Sequence, residues 1–293
     1  MEPDEDSRTS AGQLPEKCMK YRLVALDLDG TLIDSQLQIR SETIEALSRV
    51  RAQGVQVMIV TGRHHGAAYP YWRQLELELP AICCNGTYMY DFRAGRPLAS
   101  NPYTMQEACS LLELIRQNGI YTMIYADDFM AYERESLHVN KLLEWSATLP
   151  QDVRPRIDRV DSFEHMLEGC DTVWKFATAG DDLPIMSAFA ANLERSLGLS
   201  CEWSAHNRLD ISHAGNSKGK RLDQWIAEHG IAREEVIAFG DQQNDVEMLR
   251  VAGLGVAMGN SRAEVRECAD WVAGSNDSDA IANTLHRFVL TGG

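Results

Sequence analysis

The sequence predicts an α/β protein with a Rossmann-like parallel-sheet core and an inserted α+β cap domain. Two observations predict this fold. Short buried β-rich runs alternate with helical stretches near both ends of the 293-residue chain, and this alternation indicates a parallel sheet with crossover helices. Residues 87–212 contain strand and helix patterns without the alternation, which is typical of an α+β module inserted into the first domain.

The N-terminal elements follow from apolar runs and from the residues that end them. Residues 21–26 are mostly apolar and lead into a polar, glycine-containing turn that begins at Asp27, which predicts a buried strand and a turn. Residues 41–53 have helical spacing, with Ser41 as the predicted N-cap and Gly54 at the C-terminal stop. Similar patterns predict two more strands and the helix between them, at 55–60, 81–84 and 65–77.

The middle and the C-terminal part supply the remaining elements. In the middle, strands are predicted at 88–92, 121–125, 130–133, 172–178, 201–204 and 209–212, and helices near 104–117, 136–146 and 182–197. After Lys218 the alternation returns, with predicted helices at 218–229, 244–252, 261–268 and 277–290 and strands at 235–239, 255–258 and 270–272. The predicted division is a disordered leader at 1–17, a core at 18–86 and 213–293, and a cap at 87–212.

Composition argues against several classes of protein. The formal net charge is −15, which argues against a nucleic-acid partner held by bulk electrostatics. No stretch approaches the length of an apolar membrane span, so no transmembrane helix is predicted. Residues 1–17 are acidic and polar, without the apolar segment of a signal peptide. The seven cysteines are scattered and show no zinc-binding spacing, which predicts reduced thiols in a cytoplasmic protein.

Polar residues follow three of the predicted core strands. They are Asp27 and Asp29 after the first strand, Thr61 and Gly62 after the second, and Asp241, Asn244 and Asp245 after the strand at 235–239. Lys218 stands just ahead of a predicted helix. Ligands of an open parallel sheet bind outside the carboxyl ends of its strands. We therefore expect these carboxylate, hydroxyl and ammonium groups to meet at one edge of the sheet.

Clustered carboxylates predict a bound cation and phosphate chemistry. Carboxylates around one point repel each other unless a cation lies among them, and hard oxygen ligands suit Mg²⁺. The metal would screen Asp27 and allow it to attack an anionic phosphate, which gives an acyl phosphate and divides one difficult hydrolysis into two steps. Asp29, two residues further on, is the predicted proton donor and acceptor. Thr61 and Lys218 would stabilise the transferred phosphoryl group.

Four ordered motifs identify the chain as a member of a known superfamily. The segments are Asp27-Leu28-Asp29-Gly30-Thr31-Leu32, Thr61-Gly62-Arg63, Lys218 and Gly240-Asp241-Gln242-Gln243-Asn244-Asp245. They resemble the four motifs of the haloacid dehalogenase-like hydrolases, and the chain after about residue 20 fits the Cof-type subfamily, which carries a large α/β cap between the second and third motifs. The segments around Thr61, Pro80–Thr87 and Gly215–Leu222 resemble bacterial members that hydrolyse pyridoxal phosphate or sugar phosphates.

The resemblance implies a role for each motif residue. Asp27 would be the nucleophile and Asp29 the general acid and base of a phosphoric monoester hydrolase acting on a small phosphorylated metabolite. Mg²⁺ would be held by the Asp27 carboxylate, the Asp29 backbone carbonyl and Asp241. Phosphate would contact the Leu28 backbone, Thr61, Gly62, Lys218 and Asn244, while Asp245 and Asn216 would support these groups. The cap would determine which substrate binds.

Two other functions stay open at this point. One is a phosphomutase or phosphotransferase with the same aspartyl-phosphate, and the other is a non-catalytic regulator that binds a phosphorylated metabolite. The sequence also leaves open whether His64, His65 and Arg63 contact phosphate or only support the structure. In the cap, Trp174 or Phe176 could face the substrate or pack in the core.

Overall fold

The computed structural model describes residues 20–290, so the predicted leader at 1–17 lies outside the described residues. The strands are β1 (Leu23–Leu26), β2 (Gln56–Ile59), β3 (Ala81–Cys83), β4 (Tyr88–Asp91), β5 (Arg96–Ser100), β6 (Tyr121–Ala126), β7 (Phe129–Tyr132), β8 (Arg156–Arg159), β9 (Val173–Ala179), β10 (Ser200–Ala205), β11 (Arg208–Ser212), β12 (Val236–Gly240), β13 (Leu254–Ala257) and β14 (Trp271–Val272). The helices are α1 (Ser41–Ala52), α2 (His65–Gln74), α3 (Met105–Gln117), α4 (Leu137–Thr148), α5 (Phe163–Glu168), α6 (Leu183–Leu197), α7 (Lys218–Glu228), α8 (Val246–Val251), α9 (Ala263–Arg266) and α10 (Ala280–Leu285).

A five-stranded parallel sheet forms the centre of the core, in the order β14-β13-β12-β1-β2. Side chains of β1 alternate between its two faces, as strand geometry requires: Leu23 and Ala25 pack in one apolar cluster, and Val24 and Leu26 in another. Helices α7 and α8 cover the first face, and α1 and α10 cover the second. The predicted α/β fold with a parallel core is confirmed.

A six-stranded sheet, in the order β10-β11-β9-β6-β7-β8, forms a second module. All its neighbouring strands are antiparallel except β7 and β8. Its own apolar cluster includes Leu111 of α3, Phe176 of β9 and Leu193 of α6. Strands β4 and β5 lie within the range predicted as cap, but they pair with β3 in a separate three-stranded sheet. The boundaries of the two domains stay a prediction.

Several local details differ from the sequence prediction. Ser41 is not the N-cap of α1, because Arg40 takes that position in an extended conformation and the Ser41 hydroxyl donates to Glu42. Strands β5 and β8 carry charged or exposed residues and lack an apolar alternation, so they gave no strand pattern. The predicted helix at 277–290 is divided into α10 and a π-helical turn over His286–Leu290. Within residues 20–290, no helix has the length and apolar character needed to span a bilayer.

Gly86 fixes the approach of the segment after β3 to the start of α7. Its φ of +86° is in the left-handed region, which L side chains adopt at a cost. An added Cβ would also overlap the backbone carbonyl oxygen of Ser217. Gly95 has a similar φ of +65°, but nothing lies within 4 Å of the Cβ position there. A comparison of alanine substitutions at the two glycines therefore separates the cost of backbone strain from the cost of steric overlap.

We expect Gly86→Ala to lower the free energy of unfolding by more than about 3 kcal/mol, because strain and overlap with backbone act together. Gly95→Ala, the matched control, should cost about 1 kcal/mol from strain alone. Urea-induced unfolding followed by circular dichroism measures both values. Equal losses for the two variants would show that the contact between Gly86 and Ser217 is not a constraint on the fold.

Candidate active site

Lys218 and two aspartates form a buried charge cluster at the carboxyl edge of the parallel sheet. Asp27 follows β1, Asp245 ends a 3₁₀ turn after β12, and Lys218 is the first residue of α7. The Lys218 ammonium donates to Asp27 Oδ1 at 2.7 Å and to Asp245 Oδ1 at 2.6 Å. Only 1% of Lys218 is exposed. The sheet thus brings residues 191 positions apart in the chain into contact.

Asp241 joins these residues as a third carboxylate. Carboxylate oxygens of Asp27, Asp241 and Asp245 all lie within 4.8 Å of one another. The Thr31 hydroxyl and the Gln242 side-chain amide each donate to Asp241 at 2.8 Å. Asp245 Oδ2 accepts from the backbone N–H groups of Asp241 and Gln242 at 2.9 and 3.0 Å. The arrangement is an acidic triad of a kind that could bind a metal ion.

The electrostatics of the triad fit a bound cation. Burial raises the pKa of Asp27 well above its usual range, and the charge of Asp245 raises it further, against the opposing effect of Lys218. Burial and Asp245 likewise raise the pKa of Asp241. One ammonium therefore does not balance three clustered carboxylates. A divalent cation with a preference for oxygen ligands would restore the ionised forms.

Asp29 is held by Arg63 at the wall of a cavity, and its carboxylate is not part of the triad. Arg63 Nε and Nη2 donate to the two Asp29 oxygens, each at 2.7 Å. The guanidinium lies 4.7 Å from the ring centre of Trp145 on α4 and 5.2 Å from that of Tyr71 on α2. Partial burial raises the pKa of Asp29, but the charge and hydrogen bonds of Arg63 lower it more, to about 2. Asp29 is therefore ionised in this conformation.

Of the remaining predicted phosphate ligands, two are buried in the core and two line the cavity. Thr61 and Leu28 are fully buried, and the Thr61 hydroxyl accepts from the Arg63 backbone N–H at 3.1 Å. Gly62 and Asn244 line the cavity. A Cβ on Gly62 would lie 2.7 Å from Asn85 Oδ1, so glycine allows this close approach. The Asn244 side-chain oxygen has no hydrogen-bond partner among the described residues.

A cavity of about 270 Å³ lies between the parallel sheet and the six-stranded sheet. The core contributes Asp27, Asp29 and Lys218 to its lining, and the second module contributes Trp145, Lys175 and Arg208. The Asp27 and Asp29 carboxylates and the Lys218 ammonium thus open into the same space. The cavity is where a small molecule can reach Asp27.

A chain of buried polar contacts crosses the cavity floor from core to cap. Lys175 on β9 donates to the Gly62 carbonyl at 2.7 Å and to Asp210 Oδ2 on β11 at 2.8 Å. Asn85 donates to the same Asp210 oxygen at 3.0 Å and accepts from Asn244 at 3.1 Å. Burial alone lowers the pKa of Lys175, but Asp210 raises it more, so Lys175 stays charged. The motif residues Gly62 and Asn244 are therefore tied to the second module.

Sequence reasoning missed Lys175 and chose its neighbours instead. Trp174 and Phe176 are buried and do not line the cavity: Trp174 donates to the Asp127 carbonyl and packs on Tyr88, and Phe176 lies in the apolar cluster of the second module. A lysine in the middle of an apolar strand is itself a signal, because a buried charge requires a partner. That partner, Asp210, is 35 residues away and could not be identified from spacing.

The two histidines that follow the second motif, His64 and His65, are neutral. Burial lowers the pKa of His64 well below its usual range, with His65 adding to the effect, and burial lowers that of His65 to about 4. His64 Nδ1 accepts from the Gly66 N–H at the start of α2, at 3.2 Å. His65 stacks on Tyr90 with 3.8 Å between ring centres. These contacts indicate a structural role for His65, whereas His64 also lines the cavity.

Asn216 lies beside the two segments that join the sheets. Asn216 Nδ2 donates to the Asn101 backbone carbonyl at 2.9 Å, and Asn216 Oδ1 accepts from Asn101 Nδ2 at 3.0 Å. Asn101 also donates to the Ala214 carbonyl at 2.9 Å. Asn216 does not line the cavity that Asp27 opens into. Its position suits a brace between the segments that enter and leave the second module.

Comparisons with known proteins agree with this geometry. A profile of haloacid dehalogenase-like hydrolases matches residues 24–285. Pyridoxal phosphate phosphatase YbhA of Escherichia coli strain K12 is 44% identical over 93% of this chain and 100% of its own length. The 5-amino-6-(5-phospho-D-ribitylamino)uracil phosphatase YitU of Bacillus subtilis strain 168 is 28% identical over 92% and 98%. A crystal structure of a haloacid dehalogenase-like hydrolase from Bacteroides thetaiotaomicron superposes with a TM-score of 0.77, at 27% identity over 92% and 99% of the chains.

We expect Lys218→Met to lower the free energy of unfolding by about 3 kcal/mol in chelator-treated buffer, because it leaves two buried carboxylates without their ammonium. Lys220→Met, at an exposed position two residues further along α7, is the matched control and should change stability by less than about 0.5 kcal/mol. Urea unfolding measures both. If the two variants were equally stable, the ion pairs of Lys218 would not hold the cluster together.

Proposed function

The chain belongs to the haloacid dehalogenase-like hydrolase family, and from this premise we propose that it is a Mg²⁺-dependent phosphatase that hydrolyses pyridoxal 5′-phosphate through an aspartyl-phosphate on Asp27. The observation that carries the proposal is the contact of Asp27 with Lys218 beside the other two carboxylates of the acidic triad, in the wall of a cavity. The substrate is suggested by the pyridoxal phosphate phosphatase that is 44% identical to the chain.

Asp27 and Lys218 carry the first half of the proposed reaction. When bound, Mg²⁺ would screen the carboxylates and polarise the phosphoryl group. An Asp27 oxygen forms a bond to phosphorus while the bond from phosphorus to the ester oxygen breaks, and Lys218 stabilises charge on the phosphoryl oxygens. The ester oxygen leaves with a proton from Asp29. Because Asp29 is ionised and paired with Arg63 here, Asp29 must first take up a proton, and its ion pair with Arg63 must rearrange.

Asp29 acts in its ionised form in the second half. It accepts a proton from the water that attacks the phosphoaspartate, and the bond between phosphorus and the Asp27 oxygen breaks to release phosphate. The low pKa that Arg63 gives to Asp29 favours this base form. The Arg63 pair therefore supports the hydrolytic step more than the first transfer.

The carboxylates of the triad differ in their availability to Mg²⁺. Asp245 accepts hydrogen bonds from the Lys218 ammonium and from two fixed backbone N–H groups. Asp241 accepts only from the neutral Thr31 hydroxyl and the Gln242 side-chain amide, which can rotate away. We therefore assign Asp245 to positioning Lys218 and the Asp241 loop. The Asp27 and Asp241 carboxylates, together with the Asp29 backbone carbonyl, are the proposed ligands, and Thr61, Gly62, Asn244 and the Leu28 backbone are the proposed phosphate contacts.

We also propose a cytoplasmic location. The cysteines within residues 20–290 are free thiols, and burial raises the pKa of Cys84 to about 12, so this thiol resists oxidation. Reduced thiols are typical of cytoplasmic proteins. The proposed partner is a small phosphorylated metabolite and not a nucleic acid.

The proposal predicts that Asp27→Asn lowers phosphate release from pyridoxal 5′-phosphate by at least about 10³-fold, because the amide is not a nucleophile. The control Asp161→Asn, at an exposed cap position, should retain activity. In the wild type, kcat/KM for pyridoxal 5′-phosphate should exceed that for hexose phosphates by more than about tenfold, or 1.4 kcal/mol. Turnover by the Asp27→Asn variant would remove the nucleophile assignment. Equal kcat/KM values for hexose phosphates would overturn only the proposed substrate and leave the nucleophile assignment intact.

Metal removal gives a separate prediction. Treatment with EDTA should abolish turnover, and excess Mg²⁺ should restore it. Mg²⁺ should also raise the melting temperature of the wild type, because a ligand of the folded state at about 100 times its Kd contributes about 2.7 kcal/mol. Asp241→Asn should lose most of this shift, and Asp161→Asn should keep it. The same Mg²⁺-induced shift in all three proteins would place the metal away from Asp241.

A further inference from the structure

We infer that Arg208 binds a second anionic group of the substrate, located on the part that leaves after phosphate transfer. We assign this group to the phenolate oxygen of pyridoxal 5′-phosphate, an assignment that rests on the proposed function. Arg208 begins β11 in the second module and lines the cavity into which Asp27 opens.

Arg208 differs from the three other cations deep in the cavity. Lys218 is paired with Asp27, Arg63 with Asp29, and Lys175 with Asp210. Among the described residues, no carboxylate forms an ion pair with Arg208. The remaining cavity lysine, Lys141, lies at the exposed rim. Arg208 is therefore the partly buried cation whose charge is left for a ligand.

The side-chain partner of Arg208 orients it without neutralising it. Arg208 Nη1 lies 3.2 Å from His138 Nδ1 on α4. Because arginine can only donate, His138 Nδ1 accepts and the imidazole carries its proton on Nε2. Burial lowers the pKa of His138 to about 4, and Arg208 contributes to the effect. The pair thus holds a full positive charge that faces the cavity.

The walls beside Arg208 suit a flat apolar ring. Tyr125, Met130, Trp145 and Ala177 line the same cavity. Aromatic and thioether groups pack well against a planar heteroaromatic ring. Pyridoxal 5′-phosphate presents such a ring with an ionised phenolate at neutral pH. A hexose monophosphate presents only neutral hydroxyl groups there, so Arg208 would gain a charge-assisted hydrogen bond only with the pyridoxal compound.

The test compares pyridoxal 5′-phosphate with its 3-O-methyl ether, which keeps the ring and the phosphate but lacks the anion. The wild type should favour the phenolate compound in kcat/KM by roughly 10- to 100-fold, the range expected for a hydrogen bond between charged groups. Arg208→Gln should remove most of that preference by lowering kcat/KM for the phenolate compound far more than for the ether. Arg208→Lys should recover part of it.

Arg134→Gln is the matched control, because it removes one positive charge from an exposed position of the same module, and it should leave the preference unchanged. The inference is overturned if the wild type uses both compounds equally, a result that needs no variant to fold. It is also overturned if Arg208→Gln lowers kcat/KM for both compounds by the same factor.

A second substrate pair separates this inference from the proposed substrate. Fructose 1,6-bisphosphate and fructose 1-phosphate differ by one anionic group. If the wild type released no phosphate from pyridoxal 5′-phosphate but favoured the bisphosphate, and Arg208→Gln removed that preference, the proposed substrate would fail and the role of Arg208 would stand. The assignment of Arg208 is also overturned if the wild type releases no phosphate from pyridoxal 5′-phosphate and shows no preference between the two fructose phosphates.

Discussion

The buried contact of Lys218 with Asp27 and Asp245 is the interaction on which the rest of the site depends. A buried carboxylate is costly unless it is paired and hydrogen-bonded, and here two carboxylates share one ammonium. The ammonium comes from the start of α7, the aspartates from loops after β1 and β12, and all three converge because the strands are parallel. The same contact that allows the charges to be buried therefore also holds Asp27, the proposed nucleophile, at the sheet edge.

Contacts between the core and the second module run through residues of the site. Arg63 bridges Asp29 to Trp145 of α4, and Lys175 links the Gly62 carbonyl to Asp210. Any movement of one sheet relative to the other must change the surroundings of Asp29, the proposed proton carrier, and of Gly62, a proposed phosphate contact. The position of the cap and the state of the proposed catalytic groups are thus physically coupled through Arg63 and Lys175, the cations of two ion pairs, each of which contacts the opposite module.

Most of the core site could be predicted because its groups, apart from Lys218, follow apolar strands in the sequence. Asp27, Thr61 and Asp241 stand directly after buried runs, and parallel topology alone brings strand ends together. The cap residues could not be predicted in this way. Arg208, Asp210 and Lys175 reach the cavity through the register of antiparallel strands, and one residue of slip would turn each to the other face. Charged strands such as β8 and the N-cap residue of a helix, such as Arg40 before α1, likewise carry no hydrophobic pattern.

Charge balance explains how an acidic protein can accept an anionic substrate. The chain has a formal net charge of −15, so its surface repels phosphate compounds at a distance, although salt screens that field beyond about 8 Å. Around Asp27, three carboxylates lie together with a single ammonium, and this local excess of negative charge repels phosphate until a divalent cation offsets it. Deeper in the cavity, Lys175 and Arg63 are already neutralised by Asp210 and Asp29. Arg208, the cation without such a partner, is therefore the group that can attract a second anion. Selection by charge can then act on the part of the substrate that leaves after phosphate transfer.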